Sequence, residues 1–114
     1  MKHLTIIVRP ERVSSVTAAL QAIGVTGMTI SDVRGQGTQK GTRTLYRGVE
    51  YQTDFIVKNK IETIISDGLY DQAVEAIIEA ARTGSIGDGK IFVSEISEVI
   101  RIRTGETGEH ALGS

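Results

Sequence analysis

Phe55-Ile56-Val57-Lys58-Asn59-Lys60-Ile61-Glu62-Thr63-Ile64-Ile65 changes period from the residues that follow it, and that change organises the chain. Phe55, Val57, Asn59, Ile61 and Thr63 alternate with Ile56, Lys58, Lys60, Glu62 and Ile64, the period of two of a β-strand. The even set carries the charges up to Glu62, so that face is expected to be solvated or near a ligand. Asp67-Gly68 begins a turn. Leu69, Ala73, Ile77 and Ala81, with Val74 and Ile78, then recur at helical spacing, with Asp71, Glu75 and Glu79 opposite. Arg82 in the last turn would complement the helix dipole, and Gly84 would break the helix. Lys90 to Ile96 reads as the next strand, and Val99 to Arg103 as another short one.

Upstream the same order appears. His3 to Arg9 is β-branched and apolar, a strand, and Pro10 suits a strand exit or a first helical turn. Val13, Val16, Leu20 and Ile23 mark one helix face, with Gly24 placed to end it. Val25 to Arg34 reads as a second strand. Residues 35–54 show no sustained period and include Gly35, Gly37, Gly41 and Gly48. A loop this long in a compact domain is usually functional or disordered. The order β-α-β, long loop, β-α-β predicts an α+β, ferredoxin-like split βαβ fold, with the long loop between its second and third strands. The tail from Gly105 is polar and is expected to be loose. Gly113-Ser114 reads as a cloning remnant.

Composition narrows the function classes. The chain has 114 residues, 39% hydrophobic and 24% charged, which suits one globular domain. No apolar run approaches the ~20 residues of a membrane span, and no secretory signal is recognisable. The absence of Cys excludes disulfides and thiolate metal sites. A net charge of −1 argues against a dedicated nucleic-acid binder. Between residues 34 and 60, however, Arg34, Lys40, Arg43, Arg47, Lys58 and Lys60 face only Glu50 and Asp54. Such a basic patch can steer anions or an acidic partner surface, or be an ordinary solvated loop.

Gly84, Gly89 and Lys90 fit the spacing G-x-x-x-x-G-K, but Ile91 stands where a P-loop needs Ser or Thr. The segment also follows a helix and opens a strand, the reverse of a P-loop. Its glycines can still bring backbone N–H groups to an anion, with Lys90 adding charge; a plain connector is the alternative. Gly35-Gln36-Gly37 is followed by Gly41, one residue too late for a dinucleotide fingerprint, and opens no helix. Arg101-Ile102-Arg103 would set two guanidiniums on one strand face, a phosphate-binding pair or a solvated edge. His3 and His110 have no partner at metal-ligand spacing, and no nucleophile has a recognisable base.

Together these segments resemble the PII nitrogen-regulatory signalling family over nearly the whole chain. Tyr46-Arg47-Gly48-Val49-Glu50-Tyr51 looks like the family's modification-loop signature, and Thr83-Gly84-Ser85-Ile86-Gly87-Asp88-Gly89-Lys90-Ile91-Phe92-Val93 like its second signature. Gly24 to Thr29, Gln39-Lys40-Gly41, Lys58 and Val99 to Glu106 also match. The resemblance implies one PII-like domain over residues 1–112, with a regulatory loop at 37–54, a phosphate-binding turn at 82–90 and a C-terminal loop at 101–109. It implies a homotrimer with ATP or ADP in clefts between neighbours. Thr29, Gly35, Gly37, Thr38 and Ile64 would hold the nucleotide. Gly87, Asp88, Gly89 and Lys90 would cover its phosphates, with Arg101 and Arg103 from the adjacent subunit. Mg²⁺ and 2-oxoglutarate would bind beside ATP, Gln39 coordinating the metal and Lys58 pairing with the ligand's distal carboxylate. Implied partners are an ammonium transporter, a nucleotidyltransferase and nitrogen-assimilation enzymes.

This sequence departs from the family pattern in places. Thr38 stands where many members carry Arg, and Gly41-Thr42-Arg43-Thr44 replaces a commoner Gly-His-Thr-Glu-like stretch. Val49 removes a Ser that some members phosphorylate, while Tyr51 is where others receive a nucleotidyl group. The leading expectation from the resemblance is a cytoplasmic, non-catalytic sensor of ATP/ADP and 2-oxoglutarate that regulates targets through the 37–54 loop. One alternative is a diverged adenylate sensor without 2-oxoglutarate. Another is a nucleotide hydrolase in which Asp88 or Glu62 positions water.

Overall fold

The computed structural model describes residues 1–36, 43–46, 49–52 and 55–113, the two short inner segments as backbone only. The chain order is β1 (Lys2–Val8), α1 (Val13–Ala22), β2 (Thr29–Gly35), β3 (Arg43–Tyr46), β4 (Val49–Gln52), β5 (Ile56–Ile65), α2 (Tyr70–Ala81) and β6 (Lys90–Glu95). The main sheet has the order β2-β5-β1-β6 with every pair antiparallel. Two central strands from different βαβ halves, each half contributing one edge strand, make the split βαβ of the expected ferredoxin-like fold.

Strand pairing sorts the side chains. Leu4 opposes Thr63 and Val93, and Ile6 opposes Ile61 and Ile91, so these share one face. That face packs under both helices. Leu4, Ile6, Val8, Val16, Leu20, Ile61, Ile65, Ala73 and Ile77 form the buried core, each large aliphatic contributing about 1.5–3 kcal/mol. The buried Thr63 hydroxyl donates to Gly27 O at 2.6 Å, so its polarity is satisfied. The opposite face carries His3, Thr5 and Ile7, the even residues of β5, and Lys90 and Phe92. No helix covers it.

Several boundaries differ from the sequence reading. β2 begins at Thr29, because Val25 is buried in the core instead of extending a strand. Gly24, at φ +98°, turns the chain so that the Val25 N–H reaches Leu20 O. α2 ends at Ala81; Arg82 is already extended and lies outside the last turn, so the helix stops before Gly84. Phe55 and Val57 are exposed although they share the phase of the buried set. β1 stops at Val8, opposite Asn59, so this end of β5 pairs only with β2.

Residues 43–46 and 49–52 pair as a separate two-stranded antiparallel ribbon inside the expected loop. Four-residue strands are too short to show a period, although Leu45, Tyr46, Val49 and Tyr51 are β-prone. Val99 to Arg103 is not a strand: only an isolated bridge joins Ile100 to Thr107, and 102–104 form a turn. The tail is not loose, since Gly108–Ala111 forms a 3-10 turn with Ala111 buried.

Candidate functional site

The turn from α2 to β6 is built around Asp88. Its carboxylate accepts from the Thr83 hydroxyl, the Thr83 N–H at 2.8 Å, the Gly84 N–H at 2.9 Å and Arg9 Nε at 3.2 Å. The Thr83 bonds lead in holding the Asp88 carboxyl far below the usual carboxylate range, and Gly84 and Arg9 add to it. The same Arg9 donates from Nη2 to Ile86 O at 2.9 Å, so one guanidinium ties the end of β1 to two points of the turn. Gly87 and Gly89 sit at φ +103° and +102°. At Gly89 a Cβ would lie 1.7 Å from Ile7 O, so only glycine lets the turn rest on β1.

This packing opens a groove of about 520 Å³ on the uncovered face of the sheet, lined by Gly35, Ile56, Lys58, Gly87, Asp88, Gly89, Lys90 and Phe92 among others. The Lys58 ammonium donates to Gly87 O. Burial first, and then the nearby Arg9 charge, lower its pKa below the usual lysine value. Cations, glycine backbone and a half-apolar floor suit a ligand with both anionic and carbon surface.

Six expected site residues thus meet in one groove: Gly35, Lys58, Gly87, Asp88, Gly89 and Lys90. Thr29 and Ile64 share the uncovered face, since Thr29 opposes Glu62 and Ile64 opposes His3. They lie farther down the sheet; Ile64 is six positions, about 20 Å, along β5 from Lys58. Arg101 and Arg103 line none of this groove. The two do not share a strand face, because they sit in and beside the 102–104 turn. Gly37, Thr38 and Gln39 lie outside the described residues, as does the Tyr51 side chain.

Arg9 is the important residue that sequence reasoning did not single out. Its signal was a cation at the exit of β1, directly before Pro10. Asp88 is expected over the phosphates; in the structure its oxygens accept from Thr83, Gly84 and Arg9 and so brace the turn. Those same bonds leave it poorly suited to direct a water. Glu62 is also engaged, with His3 Nε2 at 3.0 Å and Lys60 Nζ at 3.4 Å; the His3 contact and then Lys60 hold its carboxyl below the usual range. No group of three or more His, Asp or Glu among the described residues could hold a metal. No helix among them is long and apolar enough to cross a membrane.

Known proteins with this pattern are regulators. The family profile described as Nitrogen regulatory protein P-II matches residues 1–106. A nitrogen regulatory protein P-II from Rhodobacter capsulatus is 53% identical over 112 residues, covering 98% of this chain and 100% of its own. One from Pasteurella multocida is 51% identical with the same coverage. The nitrogen regulatory protein P-II 2 of Methanothermobacter thermautotrophicus is 49% identical, over 98% of this chain and 97% of its own. A crystal structure of Arabidopsis thaliana PII bound to citrate superposes with a TM-score of 0.80 at 42% identity, covering 99% of this chain and 90% of that one. The profile match and these relatives, over a shared ferredoxin-like fold, place the chain in the nitrogen regulatory protein P-II family.

Proposed function

We infer that this P-II family protein is a non-catalytic sensor that binds ATP or ADP and, beside Mg-ATP, 2-oxoglutarate. The observation that carries this reading is the groove in which the Gly87–Lys90 turn, Gly35 and Lys58 converge. Backbone N–H groups and Lys90 suit phosphates, and Lys58 suits a carboxylate. The citrate bound by the Arabidopsis relative is a small polycarboxylate of the same chemical class. Mg²⁺ suits the site only as a companion of bound phosphates, because Asp88, the one carboxylate among the described groove residues, is committed to Thr83, Gly84 and Arg9. Gln39 would be its protein ligand, and the metal would offset repulsion between two anions.

Thr29 and Ile64 would hold the base end of the nucleotide, Gly35, Gly37 and Thr38 its middle, and an adjacent subunit would supply Arg101 and Arg103. The uncovered sheet face, with Phe92 55% exposed, supports assembly with further copies, and a homotrimer is the form proposed. Residues 37–54, with Tyr51 as the modification site, would carry ligand state to an ammonium transporter, a nucleotidyltransferase or a nitrogen-assimilation enzyme in the cytoplasm. Titration with ATP and ADP tests the core of this reading. Wild-type protein should bind both, and Lys90→Ala should weaken both about tenfold or more. Failure of the wild type to bind either nucleotide would overturn it.

A further inference from the structure

The uncovered face of the sheet carries a charged cluster that lies outside the groove. His3 Nε2 is 3.0 Å from Glu62 Oε2 and 3.5 Å from the Thr5 hydroxyl, and Lys60 Nζ is 3.4 Å from Glu62 Oε1. Strand register explains the meeting. His3 stands opposite Ile64 on β5 and Ser94 on β6, and Thr5 opposite Glu62 and Phe92, so the imidazole reaches diagonally to the carboxylate. Glu62 and Lys60 are the charged groups that β5 turns toward His3. β6 offers the uncharged Ser94, and its Lys90 lies farther along, opposite Ile7. β2 offers Thr29 and Ser31, opposite Glu62 and Lys60. Lys2 and Glu95 alternate to the other face and pair with each other.

A carboxylate only accepts hydrogen bonds, so in the neutral ring His3 Nε2 carries the hydrogen shared with Glu62. An added proton therefore goes to Nδ1, which has no hydrogen-bond partner among the described residues. With His3 neutral, Lys60 balances Glu62. With His3 protonated, the cluster carries one excess positive charge.

We propose that His3 makes assembly of this chain pH-dependent: its neutral ring permits the uncovered sheet faces to pack together, and its protonation loosens them. The proposal rests on the homotrimer reading above. In the single chain the His3 and Glu62 side chains keep 28% and 34% of their exposure, so water still solvates the charge they carry. A neighbouring copy on this face removes that water, and burial penalises the charged imidazolium. Symmetry repeats the excess charge in every copy, and the new Nδ1–H would lack an acceptor. Imidazole changes charge between about pH 5 and 8. The separated chains then bind protons more readily than the assembly does, so assembly strengthens as pH rises through that range.

Sedimentation velocity over a dilution series, at about pH 6 and about pH 8, tests this with wild type, His3→Gln, His3→Lys and His110→Gln. At the lower pH wild type should dissociate at a concentration about tenfold higher or more, since one unit of pKa shift at a histidine is a tenfold effect. His3→Gln, whose amide can still donate to Glu62, should match wild type at the higher pH under both conditions. His3→Lys, charged throughout, should match wild type at the lower pH. His110→Gln alters the chain's other histidine and should leave the wild-type shift in place. If the trimer survives every dilution, subunit exchange between tagged and untagged copies reads the same difference as a rate, faster at the lower pH in wild type and indifferent to pH in His3→Gln. Equal wild-type dissociation and exchange at the two pH values would overturn the proposal, as would a His3→Gln that keeps the full shift. If wild type is a monomer at every concentration, the homotrimer reading itself fails and the proposal falls with it; a trimer indifferent to pH removes the proposal alone.

Discussion

Arg9 Nε lies 3.2 Å from Asp88 Oδ1, joining residues 79 positions apart in sequence. The contact fixes the end of β1 to the turn that opens β6, so the backbone of that turn is set by the sheet and not by the turn alone. Loss of the pair should therefore be felt in ligand binding before it is felt in the fold. Arg9→Ala is expected to leave the circular-dichroism spectrum of the folded protein unchanged and to weaken ATP severalfold. An unchanged ATP affinity in that variant would mean that the turn holds its shape without the tie.

The Asp88 carboxyl gives a pH signature. Hydrogen bonds from Thr83, Gly84 and Arg9 depress its pKa in the folded chain. A depressed acid contributes stability that is fully present above its unfolded pKa, about 3.9, and lost as pH falls toward the folded value. Melting temperature should therefore drop progressively below about pH 4. Asp88→Asn should be less stable near neutrality and show a shallower acid limb. Parallel acid limbs in the two proteins would remove Asp88 as a source of the pH dependence.

Gly89 tests the close approach to β1. Alanine there combines a positive φ, costing about 1–3 kcal/mol, with a Cβ 1.7 Å from Ile7 O. Gly89→Ala should lower unfolding free energy by at least that amount in urea titration, and nucleotide affinity should fall with it. Gly68, where a Cβ meets nothing within 4 Å, is the control: Gly68→Ala should be close to neutral.

Ile61 lies at the centre of the sheet, fully buried opposite Ile6. Ile61→Ala should cost about 2–5 kcal/mol, read from the urea midpoint at constant slope. A change below 1 kcal/mol would contradict the assigned register, since a one-residue slip would move Ile61 to the uncovered face.

Much of this architecture is legible in the residues themselves. The alternation of β5 and the apolar stripe Ala73-Ile77-Ala81 each report a single packed face, and the turn glycines stand where positive φ occurs. What escaped the sequence depends on contacts between distant segments. Arg9 is a strand-end cation until Asp88 folds against it. Phe55 and Val57 look like core until β1 ends at Val8 and leaves them uncovered. Arg101 and Arg103 read as one strand face until the chain turns at 102–104. The β3–β4 ribbon was hidden because four residues carry too little periodicity to register.

The linked pH dependence of ligand binding addresses Lys58. Its pKa is lowered by burial and by Arg9, so its charge is lost at lower pH than for an ordinary lysine, near 10.4. 2-Oxoglutarate affinity should accordingly fall on the alkaline side before that value, and Lys58→Ala should abolish 2-oxoglutarate binding while largely sparing ADP. A mutant with unchanged 2-oxoglutarate affinity would take Lys58 out of the site.

The central claim is coupling between two anions in one groove. Calorimetry of 2-oxoglutarate into the wild-type protein with Mg-ATP, with ADP and with no nucleotide measures it directly. The account predicts binding with Mg-ATP alone. Absence of 2-oxoglutarate binding under all three conditions, with ATP itself still bound, would contradict it and leave an adenylate sensor whose Thr38 and 41–44 segment are the first positions to revert.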